Sequence, residues 1–340
     1  MDHVGGVALF REPGTRYVAQ ANNPACQADD ARLAQFRART AMTWFSHLPA
    51  RIRAFADRYP GVAKGQDAPT PDITFEDRLA LRVGELEFEL IAAPGGETID
   101  SCVVWLPQHR IALLSNLFGP LFPHFPNFNT LRGENLREPI PMLASLDRAM
   151  ALAPELLLAG HFGPMKGRDE IQDVLGRTAQ GIRHVHDATV SGMNQGKDLF
   201  SLMREVKLPP ELGLSEQYGR VPWGVRAIYE LYTGWFRYES TTELFEVPPR
   251  AVYPELAELA GGPEVLASRA QAHLKAGRAL EALHLAEVGL AANPQSRPAL
   301  ETQLAALKLL AQEDAGRNFQ IAGWLRREIG AVESRLAALR

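Results

Sequence analysis

Cys102-Val103-Val104-Trp105-Leu106-Pro107-Gln108-His109-Arg110-Ile111-Ala112-Leu113-Leu114-Ser115-Asn116 is the stretch on which the fold turns. Two nearly continuous apolar runs flank a Pro-containing turn, and such runs suit strands covered on both faces. Upstream the texture has period two. Leu79, Leu81 and Val83 alternate with polar residues, Gly84-Glu85 turns the chain, and Leu86, Phe88 and Leu90 alternate back, as in a hairpin with one buried face. Downstream, residues 142–153 read as a helix and Leu156-Leu157-Leu158-Ala159 as a last buried strand, with Gly160-His161 just past its end. The first half is therefore expected to be a mixed α/β layer structure with its loops gathered at strand ends.

Before this core, Tyr17-Val18-Ala19 reads as a strand, and residues 28–58 favour helix with one break, at Pro49. Beyond about 167 no strand is expected. Residues 168–195 read as one long helix and 224–236 as another. Apolar residues at three- and four-residue spacing then recur over 265–307, punctuated by Ala276-Gly277 and Asn293-Pro294. This describes antiparallel helices packed like tetratricopeptide units. The expected division is an α/β domain over 1–185 and an all-α domain over 186–340.

Composition bounds the rest. The 340 residues, 46% hydrophobic and 22% charged with net charge −4, describe a globular protein of about two domains. No basic excess points to nucleic acid, and no run of ~18 apolar residues spans a membrane. The first thirty residues lack a basic-then-apolar leader pattern, which leaves the compartment unassigned. Cys26 and Cys102 could form one disulfide, but two unrelated small core residues are the reading preferred.

Chemistry-bearing residues fall at the strand ends. Pro94-Gly95-Gly96-Glu97-Thr98 makes a turn between strands, Asn116 ends the strand from Ile111, and His161 follows the strand from Leu156. The chain opens Met1-Asp2-His3-Val4-Gly5-Gly6. In α/β proteins this edge is where ligands bind.

In order and spacing, Asp2-His3-x-Gly-Gly, Glu97, Asn116 and His161 resemble the later ligands of metallo-β-lactamase-fold hydrolases. Two further features narrow the resemblance to the alkyl sulfatase branch: Phe128-Asn129-Thr130-Leu131-Arg132-Gly133, then Gly160-His161-x-x-Pro164. Val185-His186-Asp187, Met193-Asn194-Gln195-Gly196, Val225-Arg226-Ala227-Ile228-Tyr229 and Thr233-Gly234-Trp235-Phe236 are similar to that family's dimerisation domain.

The resemblance implies a metallo-β-lactamase αββα sandwich, incomplete at its N-terminus, followed by a tetratricopeptide-like all-α dimerisation domain. It implies a zinc-dependent hydrolase of alkyl sulfates or a related ester with an apolar chain, assembled as a homodimer. The metal set it implies is Asp2, His3, Glu97, Asn116 and His161, with two zinc ions per subunit in the complete family fold; Arg132 is suited to clamp the oxyanion, with a surface ion pair as its alternative. The two leading His ligands would precede residue 1, so Met1 is expected to be internal to a longer chain. The family's third, sterol-carrier-like domain is not expected within these 340 residues.

Departures from the family leave the reaction open. Asn116 replaces a bridging Glu, Trp223-Gly224 replaces a His-Asn whose His acts as acid, and Trp235 takes a Tyr position. Arg237-Tyr238-Glu239-Ser240 replaces Asp-Gly-Asn-Pro. A non-catalytic dimerisation scaffold, or a lactone or thioester hydrolase on the same fold, stays as an alternative. His184 and His186 fall two apart in a helix, point about 200° from each other, and are read as structural. Trp44, Phe45, His47 and His124 are candidates to line the substrate entrance.

Overall fold

The computed structural model describes residues 3–61, 67–120, 122–129, 131–133 and 137–339. It divides into two compact units, Met1–Tyr232 and Thr233–Arg340.

The first unit opens with α1 (Val7–Phe10), β1 (Val18–Gln20), α2 (Asn23–Arg32), α3 (Ala34–Phe45) and α4 (Leu48–Arg58). The helical stretch thus breaks near Leu33 and at Ser46-His47, while Pro49 sits inside the first turn of α4. A first-turn proline loses no helix hydrogen bond, since that N–H has no partner in the helix anyway. β2 (Ile73–Phe75) pairs parallel with β1.

The larger sheet contains β3 (Arg78–Val83), β4 (Leu86–Ala92), β5 (Cys102–Leu106), β6 (Ile111–Ser115), β7 (Leu156–Ala159) and β8 (Met165–Lys166), in that spatial order among the described residues. All neighbours are antiparallel except β6 and β7. Those two are parallel because α5 (Pro139–Ala151) lies between them in sequence, as a parallel connection requires. The hairpin expected around Gly84-Glu85 is β3–β4, with Val83 opposite Leu86. β5 and β6 bury alternate residues rather than both faces, Val103 and Trp105 on one and Ala112 and Leu114 on the other.

α6 (Arg168–Asn194), α7 (Leu199–Glu205) and α8 (Val221–Thr233) complete the unit. Ile171, Leu175, Ile182 and Val185 recur at three to seven residues, so α6 presents one apolar stripe. That stripe joins Ile91, Val103, Leu114 and Leu157 of the sheet and Val225 and Ile228 of α8 in one core. This shared core carries the unit to Tyr232.

The second unit holds α9 (Tyr253–Leu259), α10 (Pro263–Lys275), α11 (Ala279–Ala292), α12 (Arg297–Asp314) and α13 (Phe319–Ala338). Its core is Leu290, Leu300, Leu307, Leu325 and Val332, with Ala270, Ala282 and Ala306 where α10, α11 and α12 approach closely. Asn318 starts α13 by accepting from the Gln320 and Ile321 amides, each at 3.0 Å. The helical repeat texture read from 265–307 is realised here, with α9 and α13 added at its ends.

Candidate functional site

Three loops meet at the ends of β4, β6 and β7. The turn after β4 reaches the site because it has glycines. Gly95 has φ +83°, and a Cβ there would lie 2.4 Å from Pro141 Cβ and 2.5 Å from the Met142 amide nitrogen. A Cβ on Gly96 would lie 2.5 Å from the Leu117 carbonyl oxygen. Only a backbone without side chains wedges between α5 and the loop after β6. Ser145 of α5 fastens the turn by donating to the Pro94 carbonyl at 2.6 Å.

β6 ends with Ser115 at φ 48°, a left-handed conformation that turns Asn116 inward, where it is 6% exposed. The Gly160 amide donates to the Ser115 carbonyl at 2.8 Å, and a Cβ on Gly160 would meet Asn116 Oδ1 at 2.3 Å. The residue before His161 is therefore pressed against Asn116. His161 itself is solvent-exposed.

His3 completes the cluster from the other end of the chain. Its Nε2 lies 4.0 Å from Glu97 Oε2 and 3.5 Å from Asn116 Nδ2. Asp2 lies outside the described residues. Arg132 is placed between aromatic rings. Its guanidinium sits 5.6 Å over Phe45 and donates to the Tyr218 hydroxyl at 3.1 Å, while its carbonyl accepts from Thr40 at 3.0 Å. Phe45 therefore lies by the Arg132 loop, and Trp44 is buried.

Sequence reasoning missed Arg137. Its guanidinium is almost fully buried, 3.5 Å from Glu97 Oε1, and it donates to the Asn127 carbonyl at 3.3 Å. A lone arginine five residues after Arg132 carries no signal of its own; only the loop closure makes it a neighbour of Glu97. His124 was expected at an entrance and is instead fully buried. Nδ1 must carry its proton, because it donates to the Phe125 carbonyl at 2.5 Å. Burial, with Arg137 nearby, pushes the imidazole down to about 4.

His184 and His186 take separate structural partners. His184 Nε2 donates to the Lys207 carbonyl at 2.9 Å, and His186 lies 2.8 Å from both Asp187 and the Tyr232 hydroxyl. Gly224, in the expected place of a polar residue, lets α8 close on Phe125, which a Cβ would meet at 2.9 Å.

By donor type, the imidazole and carboxylate of His3 and Glu97 suit zinc. In number they fall short: among the described residues no group of three His, Cys, Asp or Glu side chains is placed to hold a metal ion. The two cysteines are free, and each lies near Asp100. No helix among the described residues is long and apolar enough to cross a membrane.

Comparison with known proteins bears on this arrangement. Residues 201–322 match the family model described as alkyl sulfatase dimerisation. A linear primary-alkylsulfatase from a Pseudomonas strain is 35% identical over 211 residues, covering 60% of this chain and 39% of that protein. The alkyl/aryl-sulfatase BDS1 of Saccharomyces cerevisiae is 24% identical over 276 residues, 78% of this chain and 42% of the yeast protein. The chain thus spans less than half the length of these relatives. The solved structure of the stereoselective inverting sec-alkylsulfatase Pisa1 from Pseudomonas sp. superposes with TM-score 0.82 at 18% identity, over 100% of this chain and 55% of that one. That likeness establishes the fold. These findings show a chain similar to alkylsulfatases over much of its length, with a segment over 201–322 that matches alkyl sulfatase dimerisation and with the fold of the Pisa1 structure.

Proposed function

We propose that this chain belongs to a zinc-dependent hydrolase of alkyl sulfates, or of a related ester with an apolar chain, working as a homodimer. The observation that carries the reading is the convergence of His3, Glu97 and Asn116 from three distant loops, with Gly160 pressed against Asn116. The names of the sequence relatives and the match over 201–322 support the substrate class and the dimer.

In this reading Asp2, His3, Glu97, Asn116 and His161 would hold the metal. Zinc, when bound, supplies hydroxide near neutral pH by lowering the pKa of its water to about 7. Arg137 neutralises Glu97 and fixes its rotamer. Arg132, rigid between Phe45 and Tyr218, is assigned to clamp the tetrahedral oxyanion, a task suited to a planar bidentate donor. Phe45 offers apolar surface to an alkyl chain. Hydrolysis adds water across the ester, releasing an alcohol and inorganic sulfate.

Sulfate release from dodecyl sulfate, measured beside acyl lactone and acyl thioester cleavage with zinc content determined in parallel, tests this. Sulfate ester turnover lost in Glu97→Gln and His161→Ala supports the proposal, and turnover of lactone or thioester alone transfers it to another ester. The rival is a non-catalytic dimerisation scaffold, favoured by the buried Arg137 cation on the would-be ligand Glu97. A chain that retains no zinc and turns over none of the three esters is that scaffold.

A further inference from the structure

α4 leaves its apolar stripe uncovered. At 3.6 residues per turn, Leu48, Ile52 and Phe55 fall within an arc of about 60°, and Tyr59 follows directly at the end of the helix. Their exposures are 40, 61, 47 and 43%, and no residue of α4 is buried. The Phe55 and Tyr59 rings lie 5.0 Å apart, tilted 49° to each other, and form an aromatic end to the stripe. Arg51 and Arg58 flank it on one side, about 70–90° from its centre.

Charge supplies the identity of the occupant. Residues 34–59 contain five arginines and one aspartate, although the whole chain carries −4. Arg37 is paired with Asp30. Among the described residues Arg39, Arg51, Arg53 and Arg58 enter no ion pair, and Arg58 rests 5.4 Å over the Tyr59 ring. A helix with a narrow apolar stripe, aromatic residues on it and arginines beside it is built for an interface between water and acyl chains with anionic headgroups. Long arginine stems can follow the apolar surface while the guanidinium stays at headgroup level.

We propose that α4 is a docking helix for the surface of an anionic lipid bilayer. Leu48, Ile52, Phe55 and Tyr59 enter the acyl boundary, and Arg51 and Arg58 contact the lipid phosphates. The helix is well placed for this, because α3, which leads into it, packs on the Arg132 loop through Thr40 and Phe45. A chain docked through α4 brings that loop near the bilayer surface. The inference stands whether or not the chain is a hydrolase.

The test is co-sedimentation of the whole chain with vesicles of phosphatidylcholine, with and without phosphatidylglycerol. Binding is expected only with phosphatidylglycerol, weakening as salt is raised. Arg51→Ala and Arg58→Ala should each lower partitioning about fivefold, the equivalent of about 1 kcal/mol per cation near such a surface. Ile52→Glu should abolish binding without changing the melting temperature, since no buried contact is lost. Absence of phosphatidylglycerol-dependent binding, or binding unchanged in Ile52→Glu, overturns the proposal. So does self-association in sedimentation velocity that Ile52→Glu removes while vesicle binding is absent, because the stripe is then covered by a second copy.

Discussion

Lowering the pH should destabilise the first unit through His124. The imidazole is fully buried, its Nε2 has no hydrogen-bond partner, and its ring packs against Gly119, where a Cβ would lie 2.3 Å from Nε2. It is held neutral down to about 4. In the unfolded chain it protonates near its ordinary value of about 6.5. Between those values the unfolded state binds a proton that the folded state excludes, so stability rises with pH through this window. The contribution is complete above about 6.5 and lost as pH falls toward about 4. At ~1.36 kcal/mol per decade, the loss attributable to this one group is on the order of 3 kcal/mol.

Urea unfolding followed by tryptophan fluorescence at about pH 7 and about pH 4.5 measures it, with His124→Gln as the reference that cannot protonate. Carboxylates titrating in the same range affect both proteins alike, so the difference between their pH slopes isolates the imidazole. An NMR titration of the His124 ring in the folded protein provides a second readout. A ring that titrates near 6.5 while the chain remains folded, or equal slopes in the two proteins, would refute the reasoning.

Other consequences are equally direct. Gly95→Ala places a Cβ against Pro141 and the Met142 amide at a positive φ, and should cost more than about 2 kcal/mol in urea unfolding. Arg137→Met leaves Glu97 beside a buried apolar group, and breaking such a pair should destabilise by roughly 3 kcal/mol in the same assay. Cys26 and Cys102 are both pushed up to about 11, chiefly by burial and then by Asp100. Labelling by a disulfide reagent should therefore be slow at neutral pH and accelerate as pH rises toward 11, because the thiolate is the reactive form. Ordinary thiol rates near neutrality would contradict that environment.

Sequence alone determined the elements whose cause is local. Alternating residues on either side of Gly84-Glu85 make β3–β4, because a period of two leaves one face to bury. The apolar stripe of residues 168–194 makes α6, and the small and apolar residues of 265–307 make packed helices, because period and punctuation are properties of neighbours along the chain. The motif residues Glu97, Asn116 and His161 were legible as strand-end positions for the same reason. Tertiary structure decided the rest. The extent of the first unit follows from α6 and α8 sharing the core of the sheet. Arg137 reaches Glu97, and His124 is sealed behind Gly119, only because loops far apart in sequence close on one another. Gly95, Gly96 and Gly160 show the link between the two levels: the missing Cβ atoms are written in the sequence, but the backbone and side chains they make room for come from elsewhere in the fold.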